Sequence, residues 1–104
     1  METNEEIRKI LLSDEFSVYY ESLSDTLKNK YTYAMLIIKT QKIVSTKFVK
    51  KIQDSEFYEV RVSIGTNEYR TLLIATDNIN FIETTQVVLL NSFLKKDEKS
   101  IEKK

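Results

Sequence analysis

The feature that most constrains this chain is a pair of strand-like segments joined by its only glycine. In residues 57–64 apolar and polar positions alternate, so one side of the segment is apolar and the other carries Glu59 and Arg61. In the segment after Gly65, Arg70 shares one face with Glu68, Leu72 and Ile74, whereas Tyr69, Leu73 and Ala75 point the other way. Two such segments separated by a short turn with glycine predict a β-hairpin.

The arginines of this hairpin suggest a chemical role for one side of the sheet. Arginine is unusual inside a strand unless its planar guanidinium is needed there, typically to bind phosphate or carboxylate. The residues from 81 to 93 are predicted to form the last strand, which leads directly into Lys95 and Lys96. Three such strands would bring cations together on one sheet. Alternatively, each arginine pairs with a neighbouring glutamate, Arg61 with Glu59 or Arg70 with Glu68.

Composition limits the chemistry that is available. The chain has 104 residues, which suits a single domain spanning residues 1–104, with 1–12 as a frayed lead-in or an edge strand. It has no cysteine and no histidine, so disulfides, thiolate metal sites and the usual general base are excluded. Catalysis would have to rely on Lys, Arg, Tyr, Asp or Glu. No apolar segment resembles a signal peptide or a membrane span, so a cytoplasmic protein is expected.

A net charge of zero conceals a strong segregation of charge. Residues 27–53 contain seven lysines and no acidic residue, whereas the acidic residues are concentrated before and after this block. Such a block can bind a polyanion locally while the whole molecule stays neutral. The simpler interpretation is a solvated lysine surface.

Two helices are predicted ahead of the strands. Ser13 and Ser24 are suitable N-caps. Apolar residues recur at helical spacing after each of them, namely Phe16, Tyr19, Tyr20 and Leu23 in the first helix and Leu27, Tyr31, Ala34, Met35 and Ile38 in the second. We therefore expect an α+β domain in which a helical hairpin packs on one face of a small, mainly antiparallel sheet. The last strand is apolar on both sides, which predicts burial on both faces, and a short basic tail or helix follows it.

The order and spacing of four segments resemble those of the RelE/HigB superfamily of toxins from type II toxin–antitoxin systems, especially its phage-derived HigB-like branch. These segments are the basic run 45–52, the two arginine-bearing strands, the apolar strand and the lysine pair at 95–96. The resemblance covers roughly residues 14–104 and implies the RelE-like fold.

This resemblance implies a ribosome-dependent mRNA endonuclease. In such toxins the ribose 2′-hydroxyl attacks the adjacent phosphate and leaves a cyclic phosphate and a free 5′-hydroxyl, without metal or cofactor. The protein supplies positioning and electrostatic stabilisation. The implied partners are the ribosome, mRNA and a cognate helix-turn-helix antitoxin of the HigA type, with no membrane.

The resemblance also assigns roles to residues of this chain. The catalytic residues would be Arg61, Arg70, Lys95 and Lys96. The residues that hold the RNA backbone would be Lys47, Lys50, Lys51 and Lys99. Glu59 is a candidate general base, as is one of the lysines, because a lysine crowded by cations loses proton affinity.

Two other functions stay open. In Lys96-Asp97-Glu98-Lys99-Ser100 the chain departs from the family pattern, because two acidic residues would partly neutralise a cationic site. Together with the lack of histidine, this favours a catalytically decayed toxin that only binds an antitoxin or RNA. The lysine block alone is also compatible with an RNA-binding protein unrelated to toxins.

Overall fold

The computed structural model describes residues 5–78 and 80–95, with the backbone alone for 93–95. The elements in chain order are β1 (Lys9–Leu12), α1 (Asp14–Glu21), α2 (Asp25–Thr40), β2 (Val49–Lys51), β3 (Phe57–Ile64), β4 (Asn67–Ala75) and β5 (Gln86–Lys95). The strands form one sheet in the order β1-β5-β4-β3-β2. β1 runs parallel to β5, and the other three pairs are antiparallel. The domain is therefore α+β, with two helices packed on a five-stranded mixed sheet.

Both helices begin where the serine caps predict. The Ser13 hydroxyl oxygen accepts a hydrogen bond from the Phe16 backbone N–H at 3.0 Å, and Ser24 accepts one from Leu27 at 3.3 Å. These bonds satisfy N–H groups that have no partner within a helix. The Ser13 hydroxyl also donates to the Leu90 carbonyl, which ties the start of α1 to β5. Neither described helix is both long enough and apolar enough to cross a membrane.

The core lies between the helices and one face of the sheet. The helical face predicted from spacing is buried at Leu27, Tyr31, Ala34 and Ile38. The sheet residues that meet it include Val60, Val62, Leu73, Val87 and Leu89. Their burial removes apolar surface from water, which is the main favourable contribution to folding.

A chain of hydroxyl groups connects the helices to the sheet inside this core. The Tyr19 and Tyr31 hydroxyl oxygens lie 3.0 Å apart, and Thr71 donates to Tyr31 at 3.1 Å. Thr71 in turn shares a hydrogen bond with the Ser92 hydroxyl. Burial and the bond to Tyr31 raise the pKa of Tyr19, so the Tyr19 hydroxyl stays neutral. The buried Thr71 hydroxyl is thereby satisfied.

The hairpin between β3 and β4 has the predicted position and fixes the register of the two strands. Ile64 pairs with Asn67, so Gly65 is the first of two central turn residues, and its φ is +59°. A positive φ at this position favours glycine. The resulting register places Arg61 directly opposite Arg70.

The last strand begins later than the sequence predicts. β5 starts at Gln86 rather than Phe81, because the preceding residues form a turn held by Asp77. The Asp77 carboxylate accepts hydrogen bonds from the Thr84 hydroxyl, the Thr85 hydroxyl and the Thr85 backbone N–H. These hydroxyls hold the pKa of Asp77 well below its usual range.

The prediction that β5 is buried on both faces is also wrong. Val88 and Leu90 are only half-buried, because no described element covers the sheet face opposite the helices. Lys95 is the last residue of β5 rather than the first residue of a tail. We refer below to this uncovered side of the sheet as the open face.

A buried arginine that the sequence did not reveal ties β1 to the end of α2. Arg8 is 2% exposed and donates hydrogen bonds to the carbonyls of Ile38 at 2.8 Å, Gln41 at 2.6 Å and Lys42 at 2.7 Å. Its Nε donates to the Phe81 carbonyl at 3.2 Å, and its guanidinium lies 4.1 Å from the centre of the Phe81 ring. One side chain thus satisfies the carbonyls at the C-terminal end of α2 and orders the turn before β5.

Candidate functional site

The positions predicted to carry cations come together at one end of the open face. Arg61 on β3 lies opposite Arg70 on β4, which lies opposite Phe93 on β5. Two residues before Arg70 in β4, Glu68 pairs with Lys95. The backbone therefore brings β3, β4 and the end of β5 together as the sequence predicted.

Arg70 is held by two carboxylates. Its Nη1 lies 3.0 Å and 3.1 Å from the two oxygens of Glu59, and its Nη2 lies 2.5 Å from an oxygen of Glu68. Burial works against its charge, but the hydrogen bonds to Glu68 and Glu59 outweigh it and raise the pKa of Arg70. Nε is buried and has no hydrogen-bond partner among the described residues. The expected pairing with Glu68 is present, and Glu59 pairs with Arg70 rather than with Arg61.

Among the described residues Arg61 has almost no hydrogen-bonding partners, although it is the cross-strand neighbour of Arg70. Its Nη1 donates a long hydrogen bond of 3.5 Å to the Thr46 carbonyl. Within the described part of the chain it forms no ion pair. A half-buried guanidinium with unused N–H donors is available to an external anion.

Arg61 also lines a cleft between α2, the segment before β2, and β3. The cleft has a volume of about 300 Å³ and includes Lys30, Tyr33, Lys47, Phe48, Arg61 and Ser63 in its wall. Tyr33 and Phe48 meet edge to face, with ring centres 5.8 Å apart. None of the described residues that line the cleft is acidic. Lys30, Lys47 and Arg61 therefore give it a positive potential.

Of these residues, sequence reasoning had assigned roles to Lys47 and Arg61 and had missed Lys30, Tyr33 and Phe48. The signal for Lys30 and Tyr33 is their i, i+3 spacing on α2, outside the buried stripe. The signal for Phe48 is weaker, because nothing in the local pattern distinguishes it from a core residue.

The other predicted lysines are placed differently. Lys50 pairs with Glu59 across β2 and β3, so it shares the open face with both arginines. Lys51 lies opposite Tyr58, and its ammonium donates to the Ser55 carbonyl at 2.6 Å, which stabilises the turn before β3. Lys51 therefore does not join the cationic positions of the open face.

Several predicted site residues cannot be placed. Lys96, Lys99, Asp97 and Glu98 lie outside the described residues. The side chain of Lys95 also lies outside that description.

Glu59, the candidate general base, is not free to accept a proton from the ribose hydroxyl. Both of its carboxylate oxygens accept hydrogen bonds from Arg70. A ribose hydroxyl would have to displace this guanidinium to reach them. The geometry suits a residue that positions Arg70.

The described residues contain no group of three or more acidic side chains arranged to hold a metal ion.

No protein-family model matches the chain, and no curated protein or solved structure matches it with significant similarity.

Proposed function

We propose that this chain is a RelE/HigB-like toxin that cleaves mRNA on the ribosome. The observation that carries the proposal is the cross-strand pair of Arg61 and Arg70 on the open face, in line with the end of β5. The α+β architecture, with two helices on the opposite face of the sheet, is compatible with the RelE-like fold.

In this proposal Arg61 binds the scissile phosphate. Its unused donors can contact two phosphoryl oxygens at once, and it stabilises the charge that develops as the 2′-hydroxyl attacks. Lys47 lies in the same cleft and Lys50 on the same face, where both can contact the RNA backbone.

Arg70 has a second role at this site. Its guanidinium is oriented by Glu59 and Glu68, and their negative charge offsets its own. Arg70 contacts phosphate directly once a phosphoryl oxygen of the substrate replaces the carboxylate of Glu68, the more exposed of the two partners, as the acceptor. The proton acceptor for the 2′-hydroxyl is then a lysine of the site rather than Glu59, since Glu59 is occupied.

The proposed partners follow from the same surface. The open face carries cations and half-buried apolar residues, including Phe57, Leu72 and Ile74. A cognate antitoxin would need acidic and apolar groups to cover this face. The ribosome would present the mRNA strand to it.

The test is to induce the chain alone in bacteria and to map mRNA ends. We expect growth arrest and cuts within translated codons. Arg61→Ala is expected to reduce cleavage about 100-fold or more, since it removes donors aimed at the reacting phosphate. Lys42→Ala is the matched control, because Lys42 is exposed and lies away from the open face, 3.6 Å from Glu83. Equal toxicity of the wild type and Arg61→Ala would contradict the proposal.

One observation favours a second candidate function. The two carboxylates on Arg70 compensate its charge, as expected of a toxin fold that has lost catalysis and only binds a partner. Such a protein would accumulate at normal growth rates without an antitoxin. Growth arrest in the experiment above would exclude it.

A further inference from the structure

The cleft beside Arg61 is also lined by Lys30 and Tyr33 of α2. Its cations come from three separate segments, with Lys30 on α2, Lys47 before β2 and Arg61 on β3. Among the described residues none of the three forms an ion pair, in contrast to Lys28, Lys39 and Lys42. The protein thus concentrates uncompensated positive charge at this place.

An exposed aromatic ring stands beside these cations. Tyr33 is 55% exposed, and its edge-to-face contact with Phe48 orients the ring. Packing in the core does not explain a large ring on the outer side of α2. An aromatic face next to cations is the arrangement by which proteins bind single-stranded nucleic acid.

Tyr33 also separates the cleft from a second depression. The latter has a volume of about 380 Å³ and is lined by Thr26, Asn29, Lys30 and Tyr33. Lys30 and Tyr33 belong to both depressions. A strand that leaves the cleft can therefore continue along α2.

We propose that this cleft binds one nucleotide of a single-stranded RNA, with the base stacked on Tyr33 and the phosphate held by Lys30, Lys47 and Arg61. The inference rests on the proposed function in one respect, which is that RNA reaches Arg61. The volume is at the lower end for ligand pockets and suits a single nucleotide. An acidic peptide would use the cations but would leave the face of Tyr33 without a partner.

Binding is measured by fluorescence anisotropy with the purified full-length chain and a labelled nine-nucleotide 2′-O-methyl RNA. This probe lacks the 2′-hydroxyl nucleophile, so it reports binding without cleavage. Tyr33→Leu is expected to weaken binding roughly 5- to 150-fold, the range for loss of one base–aromatic stack. Tyr33→Phe keeps the ring and should bind like the wild type.

The phosphate contact is tested by the salt dependence of the same binding. Lys30→Ala is expected to reduce the slope of log K against log salt by about 0.7, the value for one phosphate contact to a single strand. Lys42→Ala removes the same charge outside the cleft and should leave the slope within error of the wild type.

Two results would overturn the inference. One is wild-type affinity in Tyr33→Leu, with its far-UV circular dichroism unchanged. The other is that poly-glutamate with the same charge as the RNA probe binds the chain and that Tyr33→Leu weakens its binding as much as it weakens RNA binding. This result would assign the cleft to an acidic protein partner. Failure of the proposed function is recognised separately, because growth arrest and mRNA cleavage are scored in cells, whereas this assay scores binding of an uncleavable strand.

Discussion

Arg8 and Arg61 lie near opposite edges of the same sheet and differ in what their guanidinium groups contact. Arg8 is buried and donates to carbonyls from the end of α2 and from the turn before β5. Arg61 makes one long hydrogen bond, to the Thr46 carbonyl. The two regions show that the same side chain stabilises the fold where its donors are satisfied and can bind a ligand where they are not.

Arg70 lies between these extremes. Its donors are used, but by carboxylates, one of which is half exposed. A partner of this kind can be exchanged for phosphate, whereas the buried carbonyls around Arg8 cannot leave. The following predictions test whether the three arginines differ in this way.

The largest loss of stability is expected when Arg8 is replaced. Arg8→Met would leave several buried carbonyls without a donor and lower the free energy of unfolding by about 3 kcal/mol. Arg61→Met, the matched control, should change it by less than about 0.5 kcal/mol. Urea denaturation followed by circular dichroism measures both. Similar losses in the two variants would remove the distinction between the two regions.

An intermediate effect is expected at Arg70. Arg70→Met should lower the free energy of unfolding by about 2 kcal/mol, because Glu59 would be left half-buried without its partner. In a double-mutant cycle, Arg70→Met and Glu59→Gln should couple by about 1 kcal/mol. The cycle of Arg61→Met with Glu59→Gln should show coupling near zero. Equal coupling in the two cycles would mean that Glu59 serves both arginines.

The smallest effect on stability is expected in the turn before β5, which contains the Phe81 ring that Arg8 contacts, and this effect depends on pH. Asp77 has a lowered pKa in the folded protein, so its carboxylate stabilises the fold above the unfolded value near pH 4, and this contribution is lost as pH falls toward the folded value. Thermal unfolding of the wild type and Asp77→Asn should therefore differ at pH 5–7, and the difference should shrink steadily as the pH falls below about 4.

Thr85→Val tests the cause of this pH dependence, since it removes one hydroxyl that donates to Asp77. Thr85→Val should reduce only in part the difference in thermal stability between neutral and acidic pH. A wild-type profile that matches Asp77→Asn from pH 3 to 7 would contradict the assigned role. RNA binding at the cleft should be unchanged in both variants.

Local sequence signals predicted the elements that depend on neighbouring residues. The caps Ser13 and Ser24, the buried stripe of α2 and the hairpin at Gly65 all follow from spacing over a few residues. The sequence also suggested that Arg61 and Arg70 come together on one sheet, but their directly opposite pairing depends on a turn with only two central residues, Gly65 and Thr66.

Features that depend on distant segments were not predictable in this way. The Arg8 contacts join residues thirty or more positions apart, and nothing beside Arg8 in the sequence indicates them. The start of β5 was misplaced because Phe81 is apolar, but it packs against Tyr58 and Arg8 from a turn. The cleft likewise needs α2 and β3 to meet.

The parallel pair of β1 and β5 has a consequence for how the molecule folds. Lys9 pairs with Gln86, so this contact closes a loop that spans most of the described chain. β1 lies at the edge of the sheet, and β5 is its sheet neighbour. Because long loops are closed at the greatest entropic cost, β1 should be among the last strands to dock onto the sheet. We expect the amides of β1 to gain protection from hydrogen exchange after those of the β3–β4 hairpin during refolding.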